Sequence, residues 1–303
     1  MTLLELIESE ADKLTDAHVS FGHGTTNAFD ESAWLVLWCL GLPLDTLQGS
    51  TAEVVQLAES RIVSAADLAK VQALIQTRIE SRKPAAYLTR EAWLQGYAFY
   101  VDERAIVPRS LIAELLVNGG IDYWLQANTH KVLDLCTGNG SLAVIAAMVY
   151  PAVEVIAADL SADALAVARI NVDKYALQEQ ISLLMSDGLH APELAQHGPY
   201  DLILCNPPYV NAQSMQALPP EYRAEPAMAL DGNGAGGADG MDFIRVLLRD
   251  VAAHMSPEAV LVLEIGNERL FFEAAFPQLE VVWLETNAGE DQVLLITRAS
   301  LIR

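Results

Sequence analysis

Cysteine is scarce in this chain, with three residues in 303 and no CxxC pairing. That opposes a disulfide framework and points to free thiols in a reducing cytoplasm. Basic residues are also few: 18 Lys and Arg stand against 40 Asp and Glu, a net charge of −22, with no Lys/Arg run. A nucleic-acid binder normally carries a basic footprint, so direct DNA binding is not expected. An acidic surface repels phosphate backbones and attracts basic partners. Long apolar runs are missing too, although 52% of the residues are hydrophobic. No window approaches the roughly 18 uninterrupted apolar residues of a membrane span. The richest stretch, 142–149, is soon closed by Pro151 and Glu154. The opening Met1-Thr2-Leu3-Leu4-Glu5-Leu6-Ile7-Glu8 is acidic and amphipathic, unlike a signal or transit peptide. A cytoplasmic protein without membrane association is expected.

The length and apolar content allow one large domain or two smaller ones with cores of their own. Two periodicities divide the chain. Residues 1–84 place apolar side chains at helical spacing, at Leu3, Leu4, Ile7, Ala11 and Leu14 and again at Leu68, Val71, Leu74 and Ile75. Pro43 and Gln48-Gly49-Ser50 punctuate them. Ser64, ahead of Ala65-Ala66-Asp67, predicts a helix N-cap with an acid in the first turn. This part reads as a small all-helical domain. Over 85–105, alternation around Gly96 (Trp93, Gln95, Tyr97, Phe99, Val101) predicts a linking β-hairpin. From 106 to 303 the pattern becomes strand–helix, with candidate strands at 132–135, 153–159, 181–185, 200–206, 259–265, 281–284 and 293–297. Helices fall between most of them, notably over 162–175 and 241–255. The expected class is α/β, a seven-stranded, doubly wound, Rossmann-like sheet. The last two strands are too close for a crossover helix, so the last should run antiparallel. The low-complexity segment 231–240 has neither a leading strand nor a P-loop lysine, and a flexible loop near the site is expected rather than a phosphate cradle.

The apolar run Tyr200-Asp201-Leu202-Ile203-Leu204-Cys205 reads as a buried parallel strand. It places Asn206-Pro207-Pro208-Tyr209 at the strand's carboxyl end, where open α/β sheets bind ligands. Two prolines cannot continue a helix or donate to a sheet ladder, so this backbone is stiff and its carbonyls are free to accept. Asn206 brings a side-chain carbonyl, Pro207 a main-chain carbonyl and Tyr209 a flat face. Together they suit gripping a planar amino or amide group by its two N–H bonds beneath an aromatic ring; a Pro-rich turn leaving a strand is the plain alternative. Earlier, Asp134-Leu135-Cys136-Thr137-Gly138-Asn139-Gly140-Ser141 runs from a strand into a helix pattern, its glycines placed for a tight turn and a close ligand. Gly138-x-Gly140-x-x-Ala143, with Asp159 about twenty residues on, also fits a dinucleotide fingerprint. Two details favour S-adenosylmethionine. Asp134 stands four residues before the first glycine, where a carboxylate can hold a methionine ammonium. The Asn206 tetrapeptide fits an acceptor amino group rather than a hydride acceptor. Asp159 would take the ribose hydroxyls or, with Ser161 and Asp163, cap the next helix. Asp187, in Ser186-Asp187-Gly188, would accept from the adenine amino group or belong to an ordinary turn.

With these residues assembled, the chain resembles the Class I methyltransferases and, within them, the protein-glutamine N-methyltransferases, which modify a side-chain amide. The resemblance runs over essentially the whole length. It rests on the 134–140 and 206–209 motifs, on Leu218-Pro219-Pro220-Glu221-Tyr222 leading into Glu225-Pro226, and on Val262-Leu263-Glu264-Ile265-Gly266. It implies a helical domain that recognises a protein substrate and a catalytic domain using S-adenosylmethionine, released as S-adenosylhomocysteine, without a metal. Cofactor contacts are implied at Asp134, Cys136, Thr137, Gly138, Asn139, Gly140, Asp159, Leu160, Asp187, Gly188 and Asn206. Asn206, Pro207 and Tyr209 would be catalytic. Pro208, Arg109 and Glu225 would join them around the substrate, the last two by holding site loops or as a structural ion pair. Of two close branches, one methylates peptide-chain release factors and the other a glutamine of the large-subunit ribosomal protein numbered three. Phe21-Gly22-His23-Gly24-Thr25-Thr26-Asn27-Ala28, then Asp30-Glu31-Ser32-Ala33-Trp34-Leu35, resembles the second branch, as does Val101-Asp102-Glu103-Arg104 leading to Val107-Pro108-Arg109-Ser110. A basic ribosomal protein also suits the acidic charge. Asn139 and Ser141 depart from the Ser and Cys of the family pattern, Gly188 replaces a larger residue, and the 231–240 loop is longer than usual. A nucleic-acid adenine methyltransferase would also use Asn-Pro-Pro-Tyr but should bring a basic groove. A ribosome-assembly factor that only binds the cofactor would keep the same motifs. His23 reads as a structural or docking residue. Cys136 and Cys205 read as small packing residues, since nothing nearby in sequence activates either thiol.

Overall fold

By contact the chain forms two units, Met1–Glu91 with Leu218–Ala224, and Ala92–Ala217 with Glu225–Arg303. The structure, a computed structural model, describes residues 1–47 and 60–303. The break expected at Gln48-Gly49-Ser50 lies outside the described residues. In the first unit, helices α1 (Leu3–Asp16), α2 (Ala28–Cys39) and α3 (Ala65–Ser81) each begin at a side chain that accepts from an otherwise free amide. Thr2 closes a capping box with Glu5, Asn27 accepts from the Asp30 N–H, and Ser64, as expected, accepts from the Asp67 N–H. Leu3, Leu6, Ile7, Leu14, Leu35, Val36, Val71 and Ile75 form the core of this unit. Leu6, not Leu4, takes the inward position on α1, because a spacing of three or four keeps Leu3, Leu6 and Ile7 on one face.

The second unit opens with the expected hairpin, β1 (Ala92–Leu94) against β2 (Tyr97–Phe99), Ala92 opposite Phe99. Its two-residue turn, Gln95-Gly96, takes φ of +49° and +81°, the positive pair that matches the twist of the strands it joins. Helix α4 (Ile112–Val117) precedes the sheet, whose strands are β3 (Lys131–Leu135), β4 (Glu154–Asp159), β5 (Ile181–Met185), β6 (Tyr200–Cys205), β7 (Met255–Glu264), β8 (Val282–Thr286) and β9 (Gly289–Thr297). Their order is β5-β4-β3-β6-β7-β9-β8. The first five in that order are parallel neighbours, and β9 runs antiparallel to both β7 and β8, the expected reversal.

Side chains alternate between two cores. Val132, Val155, Ala157, Leu202 and Leu204 face one, with α4 and α5 (Ser141–Val149). Leu133, Leu135, Ile156, Ala158, Ile203 and Cys205 face the other, with Ile244 and Leu247 of α7 (Asp242–Asp250) and Phe272 of α8 (Arg269–Ala275). Helix α6 (Ala162–Lys174) follows β4. Burial on both faces is why the strands read as nearly unbroken apolar runs. Several boundaries differ from expectation, β7 and β9 starting four residues earlier than expected. Strand β6 stops at Cys205, ahead of the prolines, and the helix expected over 241–255 gives way to a 3-10 turn, Val251–His254, because Met255 already pairs with Tyr200 as the start of β7. The 231–240 segment, expected to be flexible, is hydrogen-bonded: Gly240 N–H donates to Asn233 Oδ1 (2.9 Å), and the N–H groups of Ala235 and Gly237 donate to Asp242 Oδ2 (2.9 Å each). Among the described residues no helix is long and apolar enough to cross a membrane.

Candidate active site

Leu135 stands opposite Ala158 on β4 and Cys205 on β6, so the carboxyl ends of these three strands line up. Asp134 is fully buried there. Its Oδ2 accepts from the Thr137 hydroxyl and from the Ala143 N–H (3.0 Å), while Oδ1 has no hydrogen-bond partner among the described residues. Burial, only partly offset by those two bonds, pushes its carboxyl up to about 7. The glycine loop is braced from the neighbouring strand. Gly138 N–H donates to Asp159 Oδ2 and Ser161 N–H to Oδ1, both at 2.8 Å. The N-cap of α6 is Ser161, whose hydroxyl accepts from the Ala164 N–H (3.1 Å), so Asp159 is not the capping residue.

Asn139 is buried, donating to the Ile106 carbonyl (2.8 Å) and accepting from the Ser141 N–H (2.9 Å). Thr137 is buried as well and donates its N–H to the Ala158 carbonyl (3.0 Å). A side chain on Gly140 would press on Ala168, its Cβ 3.0 Å from the alanine's. Contact with the Cys205 thiol, then burial, pushes the Cys136 thiol well above its usual range, and Cys205 is fully buried in the core. At the ends of β4 and β5, Leu160 and Asp187 are exposed. Gly188 borders a small cleft shared with Leu189, His190, Phe243, Val246, Leu247 and Asp250.

One strand over, Asn206 follows β6 directly. Among the described residues its side-chain amide makes no hydrogen bond. Pro207 is buried, and Pro208 and Tyr209 are half-buried. The Tyr209 ring lies on Gly266, where a Cβ would come within 2.6 Å of Cε2 and 3.0 Å of the hydroxyl. Burial and the nearby Glu264 carboxylate push the phenol upward, so it stays neutral. Beyond it, Asn211 donates to both oxygens of Glu268 (2.8 and 2.9 Å). Arg109 and Glu225 meet as a bidentate pair, Nη1 to Oε1 at 2.6 Å and Nη2 to Oε2 at 2.8 Å, and Glu225 Oε1 also accepts from the Val107 N–H (2.9 Å). The two thus clamp one site loop to another. Glu264 accepts from the Ser110 hydroxyl and the Leu111 N–H (2.9 Å), and burial pushes it up to about 7.

Sequence reasoning missed three of these partners. Glu268 and Asn211 carry no local signal. Asn171 does carry one, a polar residue on the buried stripe of α6 that includes Val167, Ala168 and Val172. Its Nδ2 donates to the carbonyls of Asn139 (2.8 Å) and Tyr100 (3.0 Å), and its Oδ1 accepts from the Tyr100 N–H (2.8 Å), which ties the glycine loop to the exit of the hairpin.

Known proteins match this arrangement. A family profile described as "Methyltransferase small domain" matches residues 116–234. A protein of Bordetella pertussis named ribosomal protein uL3 glutamine methyltransferase is 48% identical over 303 residues, covering 99% of this chain and 96% of its own. One of the same name from Burkholderia pseudomallei is 49% identical over 308 residues, covering 99% and 95%. Among solved structures, the hMettl16 catalytic domain in complex with MAT2A 3'UTR hairpin 1 has a TM-score of 0.52 at 12% identity, covering 86% of this chain and 89% of that one, a likeness of fold alone. A methyltransferase family of this fold implies S-adenosylmethionine as the donor. With close to half its residues shared across full lengths, the chain belongs to the ribosomal protein uL3 glutamine methyltransferases.

Proposed function

We propose that this protein transfers the methyl group of S-adenosylmethionine to the side-chain amide nitrogen of a glutamine in large-subunit ribosomal protein uL3. The carrying observation is that identity to enzymes of that name spans 99% of the chain, including the helical unit in which the release-factor branch differs. The residues present suit the donor. Asp134 Oδ1 is a buried acceptor without a partner among the described residues, which an ammonium group would satisfy. Asp159 braces the glycine loop and keeps lone pairs for ribose hydroxyls. Gly188 borders a cleft lined in part by Leu189, Phe243 and Leu247, which suits an adenine, with Asp187 next to it in the chain and Leu160 exposed at the end of β4, and Cys136, Thr137, Asn139 and Gly140 shape the glycine loop.

The bound donor supplies an electrophilic methyl group on a sulfonium. An amide nitrogen is a poor nucleophile because its lone pair is delocalised into the carbonyl, so alignment is what the site must provide. Asn206 Oδ1 and the Pro207 carbonyl accept the two amide N–H bonds and turn the nitrogen toward the methyl group. The same acceptors favour the positive charge that develops on nitrogen. Neutral Tyr209 packs on the amide plane, Pro208 stiffens the turn, and the surplus proton leaves to water. Arg109 and Glu225 hold the loops that border the substrate. The helical unit recognises the protein, and the acidic chain suits a basic ribosomal protein in the cytoplasm.

The test is transfer of a labelled methyl group to unmodified uL3, a release factor and total RNA, followed by peptide mapping. Label on a glutamine of uL3 alone is expected. Label on the release factor would place the chain in the sibling branch, and label on RNA, or on nothing, would overturn the reading.

A further inference from the structure

After Ala217 the chain leaves the catalytic unit, and Leu218–Ala224 groups with the helical unit before the chain returns at Glu225. The short helix in this excursion, Pro220–Arg223, carries Glu221, which is completely buried. Arg82 donates to Glu221 Oε1 at 3.1 Å and to the carbonyls of Ala17 (2.6 Å) and His18 (3.0 Å). Arg78, also completely buried, sets Nη1 3.7 Å from the same Glu221 oxygen. Its Nε donates to Glu31 (2.8 Å) and its Nη2 to the Ser20 carbonyl (3.1 Å). Glu31 in turn accepts from the Thr25 hydroxyl (3.2 Å). Beside Glu221, the Tyr222 ring stands 4.2 Å from that of His23. The Tyr222 hydroxyl fills the space that a side chain at Gly22 would need, since a Cβ there, at φ +133°, would lie 2.1 Å from it. The Gly22-His23-Gly24-Thr25 loop is therefore a socket for the excursion, and His23, 1% exposed, serves that socket rather than an external partner.

Burying this many charges stabilises little, because desolvation offsets attraction; the better-attested use of such a network is to specify one arrangement. We propose that Glu221, held by Arg82 and Arg78, is a positioning residue for methyl transfer. It fixes, within the helical unit, the middle of the chain that runs from Asn206-Pro207-Pro208-Tyr209 to Glu225, the partner of Arg109. This rests on the methyltransferase reading above. Without the anchor that stretch samples other conformations and transfer slows, while the donor-binding residues on the ends of β3, β4 and β5 are untouched.

Full-length Glu221→Gln keeps the shape and removes the charge. Its affinity for S-adenosylmethionine, by calorimetry, should stay within about twofold of wild type, as for distant sites without shared partners. Its kcat on uL3, taken well below the melting temperature, should fall about 10- to 100-fold, the scale of a misplacement near 1 Å. The amides of 212–217 and 222–224 should exchange faster with deuterium. If Glu221→Gln fails to fold, Arg82→Gln replaces it, since the Arg82 side chain is 31% exposed. It should show a smaller fall and the same exchange pattern, and Arg82→Lys should recover most of the rate. A folded variant with wild-type kcat and wild-type exchange overturns the proposal. So does a lower melting temperature with unchanged kcat, which would make Glu221 a purely structural residue. Should the wild type methylate no acceptor, the functional reading fails, yet the exchange comparison needs no acceptor and still decides whether Glu221 is the anchor.

Discussion

At the end of β3 the buried carboxylate finds its partners close by in the chain. Asp134 is bonded by Thr137 and Ala143, three and nine positions on, and Asn139 by Ser141. At the end of β6, one strand away, the Asn206 amide is left without a partner among the described residues, and the residues after it are framed from far off. Gly266 lies under the Tyr209 ring, Gly240 against its carbonyl, and Glu268 holds Asn211 from 57 positions away. The first strand end is a locally bonded carboxylate with one buried oxygen to spare, in a loop braced from Asp159 and Asn171. The second is an open acceptor held in place by its surroundings. Asn206 is half-buried, so its amide is open to a partner that arrives with the substrate.

The sharpest way to break this comparison is Asn206→Ala. Because it removes an acceptor used only in transfer, kcat should fall about 100- to 1,000-fold, by analogy with loss of one oxyanion-hole donor. Affinity for S-adenosylmethionine should barely change, and near-normal turnover would end the distinction between the two strand ends. Asp134→Asn should do the reverse. Calorimetry should show affinity for S-adenosylmethionine about 10- to 100-fold weaker, the worth of a charge-assisted hydrogen bond, with kcat at saturating donor largely retained. Gly266→Ala probes the frame rather than the acceptor. Its Cβ would press on Tyr209 from a backbone at φ +52°, costing roughly 1–2 kcal/mol in conformation alone. We expect a fall in kcat of about tenfold at unchanged donor affinity, the scale of a displacement smaller than 1 Å.

The same contrast decides what could be read in advance. The turn after Asp134 is legible because its glycines mark the turn and the carboxylate's bonds join near neighbours, whereas its braces from Ile106 and Asn171 lie 33 and 32 positions away. The central strands β3, β4, β6 and β7 are legible because strands buried on both faces must be apolar. Boundaries slip where a distant partner intervenes, as when Tyr200 captures Met255 into β7. The frame of Tyr209 is not legible. Glu264 stands in a recognisable motif, yet its partners Ser110 and Leu111 lie 154 and 153 positions away. Arg109 and Glu225 can each be nominated from sequence, but that they bind one another across 116 positions is a property of the fold. Burial of His23 is equally invisible until Tyr222 is seen to cover it.

The smallest effect separates the two strand ends by pH. Burial holds the Asp134 carboxyl at about 7, well above the usual carboxylate range. The ligand-free protein therefore binds a proton there that the unfolded chain has already lost. That contribution to stability is complete below about pH 4 and is lost as pH rises through 7. A cationic ligand reverses the preference, because it needs the carboxylate. Affinity for S-adenosylmethionine should then tighten about threefold between pH 6.5 and 7.5, as expected for one group titrating near 7. Asp134→Asn should flatten that slope. Glu264 titrates in the same range but serves the second strand end, so Glu264→Gln should leave the slope in place. A slope that follows Glu264 instead would mean that the buried acid sensed by the donor belongs to the acceptor's frame, and the division between a locally bonded cofactor carboxylate and a remotely held acceptor would have to be redrawn.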